Sequence, residues 1–231
     1  MTLKKTIIIP CFNEIKTIKI LLNRVKNNIS SEDNIIIVDD GSTDGTTDFL
    51  KTIEDKNIEI IFHKNNLGKG KAIQTALDKN LSDLIIIQDA DLEYNPKDYD
   101  LLLKPFLETD ADIVYGSRFI GTNDYVRVHL FWHYLANKIL TFICNIFTNL
   151  NMSDMETGYK SFKKEAIKSI NLNEKSFGIE PEITIKLAKK KFKFYEVPIS
   201  YAGRSYEDGK KIGLKDAFIA IYCIFKYSFT N

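Results

Sequence analysis

The sequence predicts an α/β protein whose central sheet is mostly parallel and is covered by helices on both faces. Short runs rich in isoleucine and valine alternate with longer amphipathic segments through the first half of the chain, as strands and helices do in such a sheet. The apolar residues in each run are continuous, which is typical of strands buried on both faces. Ligands of open parallel sheets bind beyond the carboxyl ends of the strands, so the polar residues that follow these runs are the first candidates for a functional site.

Each predicted strand is a short run of β-branched residues bounded by polar residues. In the first half these runs cover 6–9, 34–38, 58–62, 84–88 and 112–115, with helical patterns near 14–28, 44–55, 69–80 and 96–108 between them. The second half predicts a long amphipathic helix near 129–149, a helix near 180–190, a strand near 193–200 and a final helix from about Gly213. No linker, repeat or change of composition divides the chain, so we expect a single domain over residues 1–231.

Composition and charge fit one globular domain with a substantial core. The 231 residues are 44% hydrophobic and 27% charged, and a formal net charge of +1 gives no bulk electrostatic reason to expect a nucleic-acid partner. Three cysteines, Cys11, Cys144 and Cys223, are far apart and fit neither a zinc site nor a disulfide framework, which favours a reducing compartment. The apolar run before Pro10 is too short for a signal peptide.

Two apolar stretches in the second half raise the question of a membrane. Residues 129–150 are long enough to span a bilayer, but their polar stripe would then lie in hydrocarbon, so we reject a spanning helix. Residues 217–225 are too short to span, although either stretch can lie at a membrane surface. Core packing explains most aromatic residues of the longer helix, and part of their surface is a candidate for contact with lipid headgroups. The stripe consists of His133, Asn137, Lys138 and Asn145, and the aromatic residues are Phe131, Trp132, Tyr134, Phe142 and Phe147.

Three polar clusters follow the first, second and fourth predicted strands, which places them on one edge of the sheet. Their sequences are PCFNE at 10–14, DDGSTDG at 39–45 and DADLE at 89–93. Asp89 and Asp91 can both reach one hard cation such as Mg²⁺ from the strand end, and Glu93 is a candidate third ligand. A metal held there would neutralise a departing diphosphate. The alternative is that these acids cap the next helix, as isolated acidic residues after a strand often do.

The pair Asp39 and Asp40 has a structural and a functional interpretation. Asp-Gly sequences form turns and Asp44 fits a helix cap, which accounts for Asp44 and Gly45. Turn formation accounts less well for two adjacent acids directly after a buried strand. One of the two can accept hydrogen bonds from a nucleobase or a ribose.

Familiar nucleotide and zinc motifs are absent from the sequence. PCFNE stands where a dinucleotide site has GxGxxG, and no GxxxxGK[ST] sequence occurs. The Gly68-Lys69-Gly70 segment lacks a third glycine, so we interpret it as a loop that opens a helix. His129 and His133 are four residues apart, but no HExxH glutamate accompanies them, so zinc is not expected.

A series of segments along nearly the whole chain carries a resemblance to a known family. In chain order they are IIIPCFNE, IVDDGSTDGT, NLGKGKA, QDADLEYNP, VYGSRF, DMETGYKSF, FGIEPEI and EVPISYAGRSYEDGKKIG. Together they resemble family 2 glycosyltransferases of GT-A fold, in the branch of dolichyl-phosphate mannose synthases and bacterial polyprenyl-phosphate sugar transferases. The GSR, TGYK and EVPISY elements are the more specific for this branch. The resemblance implies a Rossmann-like sheet in a single domain, with residues 1–118 binding a nucleotide sugar and 119–231 forming the acceptor side.

The resemblance also implies roles for the residues that match these segments. The nucleoside pocket would be lined by Pro10, Phe12, Glu14, Val38 and Asp40. The diphosphate would meet Asp89, Ala90 and Asp91, and a Mg²⁺ or Mn²⁺ ion would be surrounded by Asp89, Asp91 and Glu93. The expected catalytic residues are Asp91, Glu93 and Arg118, of which Arg118 would contact phosphate. The residues expected to close over the donor from a loop are Arg204 and Lys210 or Lys211, although charged loop residues are most often solvated surface.

The acceptor side matches the family less closely. The usual basic pair before the long helix is not cleanly present, and Arg127 and His129 stand near its place. His129 can donate a hydrogen bond to an acceptor phosphate. The sequence predicts no C-terminal transmembrane helix of the kind that many relatives carry. We therefore expect the chain to resemble members that attach peripherally at the cytoplasmic face of a membrane or use a small membrane-protein partner.

The expected reaction moves a hexose from a UDP- or GDP-linked sugar to a polyprenyl phosphate. A phosphate monoester has a second pKa of about 6, so it is already a nucleophile at neutral pH and needs no general base. Inversion of configuration is expected because no residue in the resemblance is a covalent nucleophile. 

Two alternatives stand beside this interpretation. A transferase of the same fold can act on a sugar hydroxyl in the assembly of cell-surface polysaccharide or glycolipid. That reaction needs a base, for which Glu180 and Glu182 are candidates, although acids at a helix N-terminus explain both. The other alternative is a catalytically inactive scaffold that binds nucleotide sugars. The intact set of Asp89, Asp91, Glu93 and Arg118 argues against it.

Overall fold

The computed structural model describes residues 3–121, 130–203 and 214–230, without the side chains of residues 214 and 215. The strands in this part of the chain are β1 (Lys5–Cys11), β2 (Asn34–Asp39), β3 (Ile58–Phe62), β4 (Leu84–Ile87), β5 (Ile113–Ser117), β6 (Lys160–Lys163) and β7 (Phe194–Pro198). They form one seven-stranded sheet in the order β3-β2-β1-β4-β6-β5-β7. All neighbours are parallel except β6, which is antiparallel to β4 and β5. The predicted α/β class with a mostly parallel sheet is confirmed.

Eight α-helices connect these strands in the described residues. They are α1 (Ile18–Lys26), α2 (Thr46–Lys51), α3 (Lys69–Leu77), α4 (Tyr99–Glu108), α5 (Phe131–Thr148), α6 (Lys164–Lys168), α7 (Ile179–Lys189) and α8 (Leu214–Phe229). A 3₁₀ turn at Pro96–Asp98 leads into α4. The predicted elements are all present, whereas β6 and α6 were not predicted. The sequence KSFK contains no β-branched residue, so it lacks the usual signal of a strand.

The strands contribute apolar side chains to two cores, one on each face of the sheet. Successive side chains of a strand point to opposite faces, so Ile7 and Ile9 of β1 lie in one core and Ile8 lies in the other. Helices α1 and α4 cover the first core, and α3, α5, α7 and α8 cover the second. Helices therefore lie on both faces, as the continuous apolar runs predicted.

The register of the parallel strands brings the ends of β2, β1 and β4 to one edge of the sheet. Cys11 at the end of β1 is level with Asp39 at the end of β2, and β1 pairs with β4 up to Ile8 and Ile87. The chain segments that leave these strands are therefore neighbours. This edge is where the three polar clusters lie.

The polar stripe on α5 faces the protein and holds a neighbouring loop. The side-chain amides of Asn137 and Asn145 and the ammonium of Lys138 donate to residues 152–154 at 3.0, 2.8 and 3.0 Å. Rejecting a spanning helix on the basis of this stripe agrees with the structure: in the ranges described above, no helix combines the length and the apolar character needed to cross a bilayer.

Candidate active site

A cleft of about 490 Å³ opens at the edge where β1, β2 and β4 end. The sequence-predicted site residues that line it are Pro10, Phe12, Glu14, Asp40, Asp89, Ala90, Asp91, Glu93 and Arg118. Val38 does not line the cleft, because its side chain is fully buried in the core beneath α3. Arg204, Lys210 and Lys211, together with Arg127 and His129, lie outside the described residues. The structure thus brings together the residues that follow the three strands, as predicted.

The first two polar clusters are joined by hydrogen bonds. The backbone N–H of Asn13 donates to the Ser42 hydroxyl at 2.9 Å, and the Asn13 side chain accepts from the N–H of Thr43 at 2.8 Å. The N–H of Glu14 donates to the Thr46 hydroxyl at 2.9 Å. These bonds fix the β1 loop against the β2 loop, so the floor of the cleft is set before any ligand binds.

Asp40 holds the loop that leads into α3. Its carboxylate accepts from the backbone N–H groups of Leu67 and Gly68 at 3.0 and 2.7 Å. It also contacts Nδ1 of His63 at 2.6 Å, and Nε2 of His63 lies 3.0 Å from the Thr75 hydroxyl. Asp40 therefore holds the backbone of the cleft wall in position. The sequence predicted only that Asp40 would line the nucleoside pocket, and it did not predict this structural role.

The rest of the DDGSTDG cluster forms turns. Asp39 accepts from the N–H of Ser42 at 3.2 Å and from the Thr47 hydroxyl. Asp44 accepts from the N–H of Thr46, the first residue of α2, at 3.0 Å, but the N-cap of α2 is Gly45 and no side chain caps the helix, so Asp44 forms a turn before α2 rather than its cap. Gly41 has a φ of +74°, and a methyl group there would lie 2.7 Å from the Asn65 carbonyl carbon, so this turn requires glycine.

Asp89 forms an ion pair with Lys69, the first residue of α3. The Lys69 ammonium lies 2.8 Å from Oδ1 of Asp89 and 3.2 Å from Oε1 of Glu180. Burial disfavours the charge on Lys69, but these two carboxylates hold its pKa well above the ordinary value. The sequence interpretation treated Lys69 as part of a helix-opening loop and missed this contact. The signal available was the presence of Lys69 in the NLGKGKA segment.

A glycine in the loop before β6 lets that loop pass directly over Asp89. A methyl group on Gly158 would lie 2.3 Å from Oδ2 of Asp89. The N–H of Gly158 donates to the Tyr94 hydroxyl at 2.7 Å, and the Tyr94 ring stacks on Tyr159 at 4.7 Å. The TGYK segment therefore forms the wall opposite Lys69, and Asp89 lies between the two.

The structure does not bring Asp89, Asp91 and Glu93 together as one ligand set. Within the described ranges, no group of three acidic, histidine or cysteine side chains is arranged to hold a metal ion. Asp91 accepts from the backbone N–H of Glu93 at 3.1 Å, whereas the Glu93 carboxylate accepts from the Tyr201 hydroxyl at 2.8 Å. Mg²⁺ needs only one or two carboxylates when waters and phosphate oxygens complete its shell. Asp89 and Asp91, which both line the cleft, fit that smaller requirement.

Arg118, at the end of β5, is held by a buried carboxylate. Its Nε and Nη2 donate to the two oxygens of Asp154 at 2.7 Å each, and its backbone N–H donates to the same carboxylate at 3.0 Å. Burial opposes ionisation of Asp154, but Arg118 keeps the pKa of this carboxyl below its ordinary value. The Arg118 guanidinium carbon also lies 5.1 Å from the Tyr201 ring centroid. Arg118 is thus a positioned cation at the cleft rather than a solvated surface residue.

The sequence of this chain matches a known family over most of the part that builds the site. Residues 6–170 match the family described as glycosyl transferase family 2. The chain belongs to this family. Membership agrees with the resemblance given by the strand-end motifs, all of which lie in the cleft or on the loops beside it.

Two curated relatives align with this family 2 glycosyltransferase over most of the length of both chains. It is 27% identical over 218 residues to the undecaprenyl-phosphate mannosyltransferase of Micrococcus luteus, covering 89% of this chain and 86% of that one. It is 29% identical over 235 residues to the UDP-N-acetylglucosamine–dolichyl-phosphate N-acetylglucosaminyltransferase of Methanococcus voltae, covering 94% and 92%. The chain is therefore an enzyme of the glycosyltransferase class.

Solved structures identify the fold of this family 2 glycosyltransferase. Glucosyl-3-phosphoglycerate synthase from Mycobacterium tuberculosis, in complex with Mn²⁺, UDP and phosphoglyceric acid, aligns with a TM-score of 0.76 at 15% identity, covering 99% of this chain and 80% of that one. The same enzyme with Mg²⁺ and UDP aligns with a TM-score of 0.75 at 15% identity, covering 98% and 79%. The predicted GT-A fold is confirmed.

The two glutamates considered as bases have different surroundings in this glycosyltransferase. Glu182 is fully buried and accepts from the N–H groups of Asn173 and Glu174 at 2.8 Å each and from Lys186 at 2.6 Å. It therefore closes the loop before α7 and does not line the cleft. Glu180, two residues earlier in α7, does line the cleft. Of the two candidates, only Glu180 can reach a ligand.

Proposed function

We propose that this glycosyltransferase moves a hexose from a UDP- or GDP-linked donor to a polyprenyl phosphate, with inversion at the anomeric carbon. The observation that carries the proposal is the lining of the cleft. It includes the strand-end carboxylates Asp89 and Asp91 together with Trp132 of α5, which is 75% exposed, and Ala217 of α8. One cleft therefore combines acidic groups that can hold a metal–diphosphate with apolar side chains from two helices, which suits a donor diphosphate and a lipid acceptor.

The named relatives support the same donor and acceptor classes. The Micrococcus luteus and Methanococcus voltae proteins are named for transfer to undecaprenyl phosphate and dolichyl phosphate. The structural neighbour binds UDP together with Mn²⁺ or Mg²⁺. In this chain Asp89 and Asp91 would hold the metal ion, which when bound supplies Lewis-acid stabilisation of the departing nucleoside diphosphate.

The described residues supply binding and orientation. Arg118 presents a planar guanidinium, fixed by Asp154, that suits phosphate oxygens. Lys69 holds Asp89 in place through an ion pair, from the side of the cleft opposite the loop that carries Gly158. The acceptor phosphate is dianionic near neutral pH and attacks without a protein base, so the site needs alignment of the two substrates rather than proton transfer.

An apolar surface on α5 and α8, the helices that contribute Trp132 and Ala217 to the cleft lining, supports attachment to a membrane, and we propose that this is its cytoplasmic face. Helices α5 and α8 pack together through Phe147, whose ring centroid lies 5.1 Å from that of Phe225 and 5.6 Å from that of Phe229. Their outward side chains form one apolar surface, on which Trp132 is 75% and Phe218 72% exposed. Large exposed apolar patches mark interaction sites, and amphipathic helices of this kind lie in the headgroup region. The apolar surface consists of Phe131, Trp132, Ile139, Phe142, Ile146, Phe218, Ile219, Tyr222, Phe225 and Phe229.

The test is a transfer assay with purified protein. UDP- and GDP-linked glucose, mannose and N-acetylglucosamine are supplied with Mg²⁺ or Mn²⁺, each with and without a short-chain polyprenyl phosphate. We expect one donor to give lipid-linked sugar only when both metal and lipid phosphate are present, with inverted anomeric configuration by NMR. Metal-dependent transfer to the hydroxyl group of a sugar in the absence of lipid phosphate would contradict the proposal. A product with retained anomeric configuration would also contradict it.

Transfer to a sugar hydroxyl is the second candidate, and one observation favours it. Glu180 lines the cleft and stands where it can reach an acceptor. In that reaction a base must take the hydroxyl proton, so replacing Glu180 by Gln would lower kcat by about 10²-fold or more. The lipid-dependence arm of the assay separates the two reactions.

A further inference from the structure

Two acidic side chains that line the cleft each keep one buried oxygen without a hydrogen-bond partner. These atoms are Oε1 of Glu156 and Oε2 of Glu180, and each lacks a partner in the part of the chain that the structure describes. Burying a carboxyl oxygen without a hydrogen bond costs free energy, so native proteins keep such atoms for a reason. An oxygen of this kind on a cleft wall is suited to accept from, or share a proton with, a bound ligand.

The contacts of Glu180 connect this pair of carboxyls to the diphosphate end of the cleft. Its other oxygen, Oε1, lies 3.2 Å from the Lys69 ammonium, which in turn lies 2.8 Å from Asp89. Lys69 therefore fixes which Glu180 oxygen is left for a ligand. In a nucleotide sugar the hexose is bonded directly to the diphosphate. A diphosphate beside Asp89 thus places the hexose within reach of Glu180.

Glu156 stands on the loop that passes over the same region. Its neighbours fix the loop, because Asp154 binds Arg118 and the Thr157 hydroxyl donates to the Gly116 carbonyl at 2.6 Å. Burial, followed by the charge of Glu180, raises the pKa of Glu156 to about 8. Near neutral pH Glu156 therefore keeps its proton, so it can donate as well as accept a hydrogen bond. Sugar hydroxyls also donate and accept, so they match this side chain in a cleft that Glu180 lines as well.

We propose that Glu156 and Glu180 bind hydroxyl groups of the donor hexose and select which sugar is transferred. The inference rests on the function proposed above and adds the recognition of the sugar to it. A site whose buried polar groups pair with substrate hydroxyls rejects an analogue that lacks them, because those groups then stay unpaired. Neither glutamate is needed for the diphosphate or for the acceptor phosphate in this scheme.

The experiment compares binding of nucleotides and nucleotide sugars by calorimetry. The proteins are the full chain and its E156Q, E180Q and E165Q variants, of which Glu165 is exposed on α6 and serves as the control. The probes are UDP, GDP, UDP-glucose, UDP-N-acetylglucosamine and GDP-mannose with Mg²⁺. A hydrogen bond lost from the Glu180 carboxylate predicts about a 10- to 100-fold weaker affinity of E180Q for the sugar-linked probe that binds the parent protein, and a smaller loss for E156Q, whose amide still offers a donor and an acceptor. Affinity for the matching free nucleotide should be unchanged, which also verifies folding.

A second measurement uses only the parent protein with deoxyfluoro analogues of the best nucleotide sugar. Replacing the recognised hydroxyl should weaken binding in the parent by a similar factor, and combining that analogue with E156Q or E180Q should add little. The inference is overturned if the variants keep the parent ratio of nucleotide to nucleotide-sugar affinity. It is also overturned if E180Q loses kcat while binding the donor normally, which is the behaviour of a base. Failure of every nucleotide and nucleotide sugar to bind the parent protein would instead refute the function proposed above.

Discussion

The two side-chain nitrogens of Arg118 that bind Asp154 are each 2.7 Å from a different oxygen of that carboxylate. Asp154 is fully buried, and it also accepts from the amide of Asn137 on α5 at 3.0 Å. The arginine expected to contact phosphate is therefore fixed by a carboxylate that does not itself line the cleft. This arrangement connects the end of β5, the loop before β6 and the long helix α5 at one point.

Replacing Asp154 by Asn should destabilise the protein by about 3–5 kcal/mol, because it leaves the buried guanidinium without its counterion. The measurement is the free energy of unfolding from urea titration. Asp110→Asn is the matched control, since its ion pair with Lys193 is exposed to solvent and should contribute little to stability. If the two variants lost the same free energy of unfolding, that result would contradict the positioning role of Asp154.

Gly158→Ala should abolish most turnover while leaving the fold intact. The added methyl group would lie 2.3 Å from the Asp89 carboxylate, which must then move away from the cleft. A displacement near 1 Å costs about 10²-fold in rate. Steady-state kinetics test this, with Gly121→Ala as the control, because a methyl group there meets no atom of the described residues within 4 Å. Normal activity of Gly158→Ala would show that Asp89 need not stay in its place.

Lys69→Met should weaken catalysis by about 10- to 100-fold, since it removes the cation between Asp89 and Glu180. The two carboxylates would then repel each other across the cleft. The control is Lys79→Met, whose ion pair with Glu59 is partly exposed on the protein surface. If both variants have parent values of kcat/KM for the donor, Lys69 has no part in shaping the site.

Stability should depend on pH through Glu156. Burial raises its folded-state pKa to about 8 from an ordinary value of 4.5, so the folded protein keeps a proton that the unfolded chain has released. The stability that Glu156 contributes is therefore complete below the lower value and is lost as pH rises through the upper one.

The Glu156→Gln variant has no carboxyl to ionise at this position, so this loss of stability should be absent. Its free energy of unfolding should therefore rise relative to that of the parent protein as the pH rises from about 5 to about 9. Urea titrations across that range measure the difference. Lys160, whose pKa burial lowers, interacts electrostatically with Glu156, so the pH dependence of the difference belongs to the two groups together. Glu165→Gln, at an exposed position, should follow the parent at every pH. A constant difference between Glu156→Gln and the parent would show that Glu156 ionises normally.

The double variant Phe142→Ser and Phe218→Ser should reduce binding to anionic phospholipid vesicles by about tenfold or more, because each ring contributes apolar area to the membrane contact. Both side chains are exposed, at 65% and 72%, so the melting temperature should change little. Leu107→Ser is the control: this residue is 64% exposed but lies on α4, away from the apolar surface. Vesicle co-sedimentation that falls equally for the control would count against membrane docking.

Patterns along the chain were sufficient to predict the edge of the sheet that carries the site. Continuous isoleucine runs identify parallel buried strands, and polar residues directly after β1, β2 and β4 are brought together by the shared direction of those strands. The roles within a cluster were harder to predict. Asp40 and Glu93 are engaged with backbone N–H groups and with Tyr201, which are contacts from distant segments that no local pattern encodes.

Besides Lys69, the residues that sequence reasoning overlooked lie in the loop that leads into β6, the strand that runs opposite to its neighbours. Glu156 and Gly158 precede β6, and because β6 is antiparallel to β4, its beginning lies at the edge where the parallel strands end. A search restricted to residues that follow strands cannot find them. The strand itself is hard to recognise, since Lys160 is buried within it and donates to the Met155 and Thr157 carbonyls.

The place of β6 between β4 and β5 also determines how the chain can be divided. Strands β1 to β5 all come from the first half, yet β5 touches that part of the sheet only through β6, which the second half supplies. A fragment ending near residue 118 would leave β5 without either of its hydrogen-bonded neighbours. Residues 1–118 and 119–231 therefore share one sheet, and chimaeras with related enzymes should exchange loops on this sheet rather than halves of it.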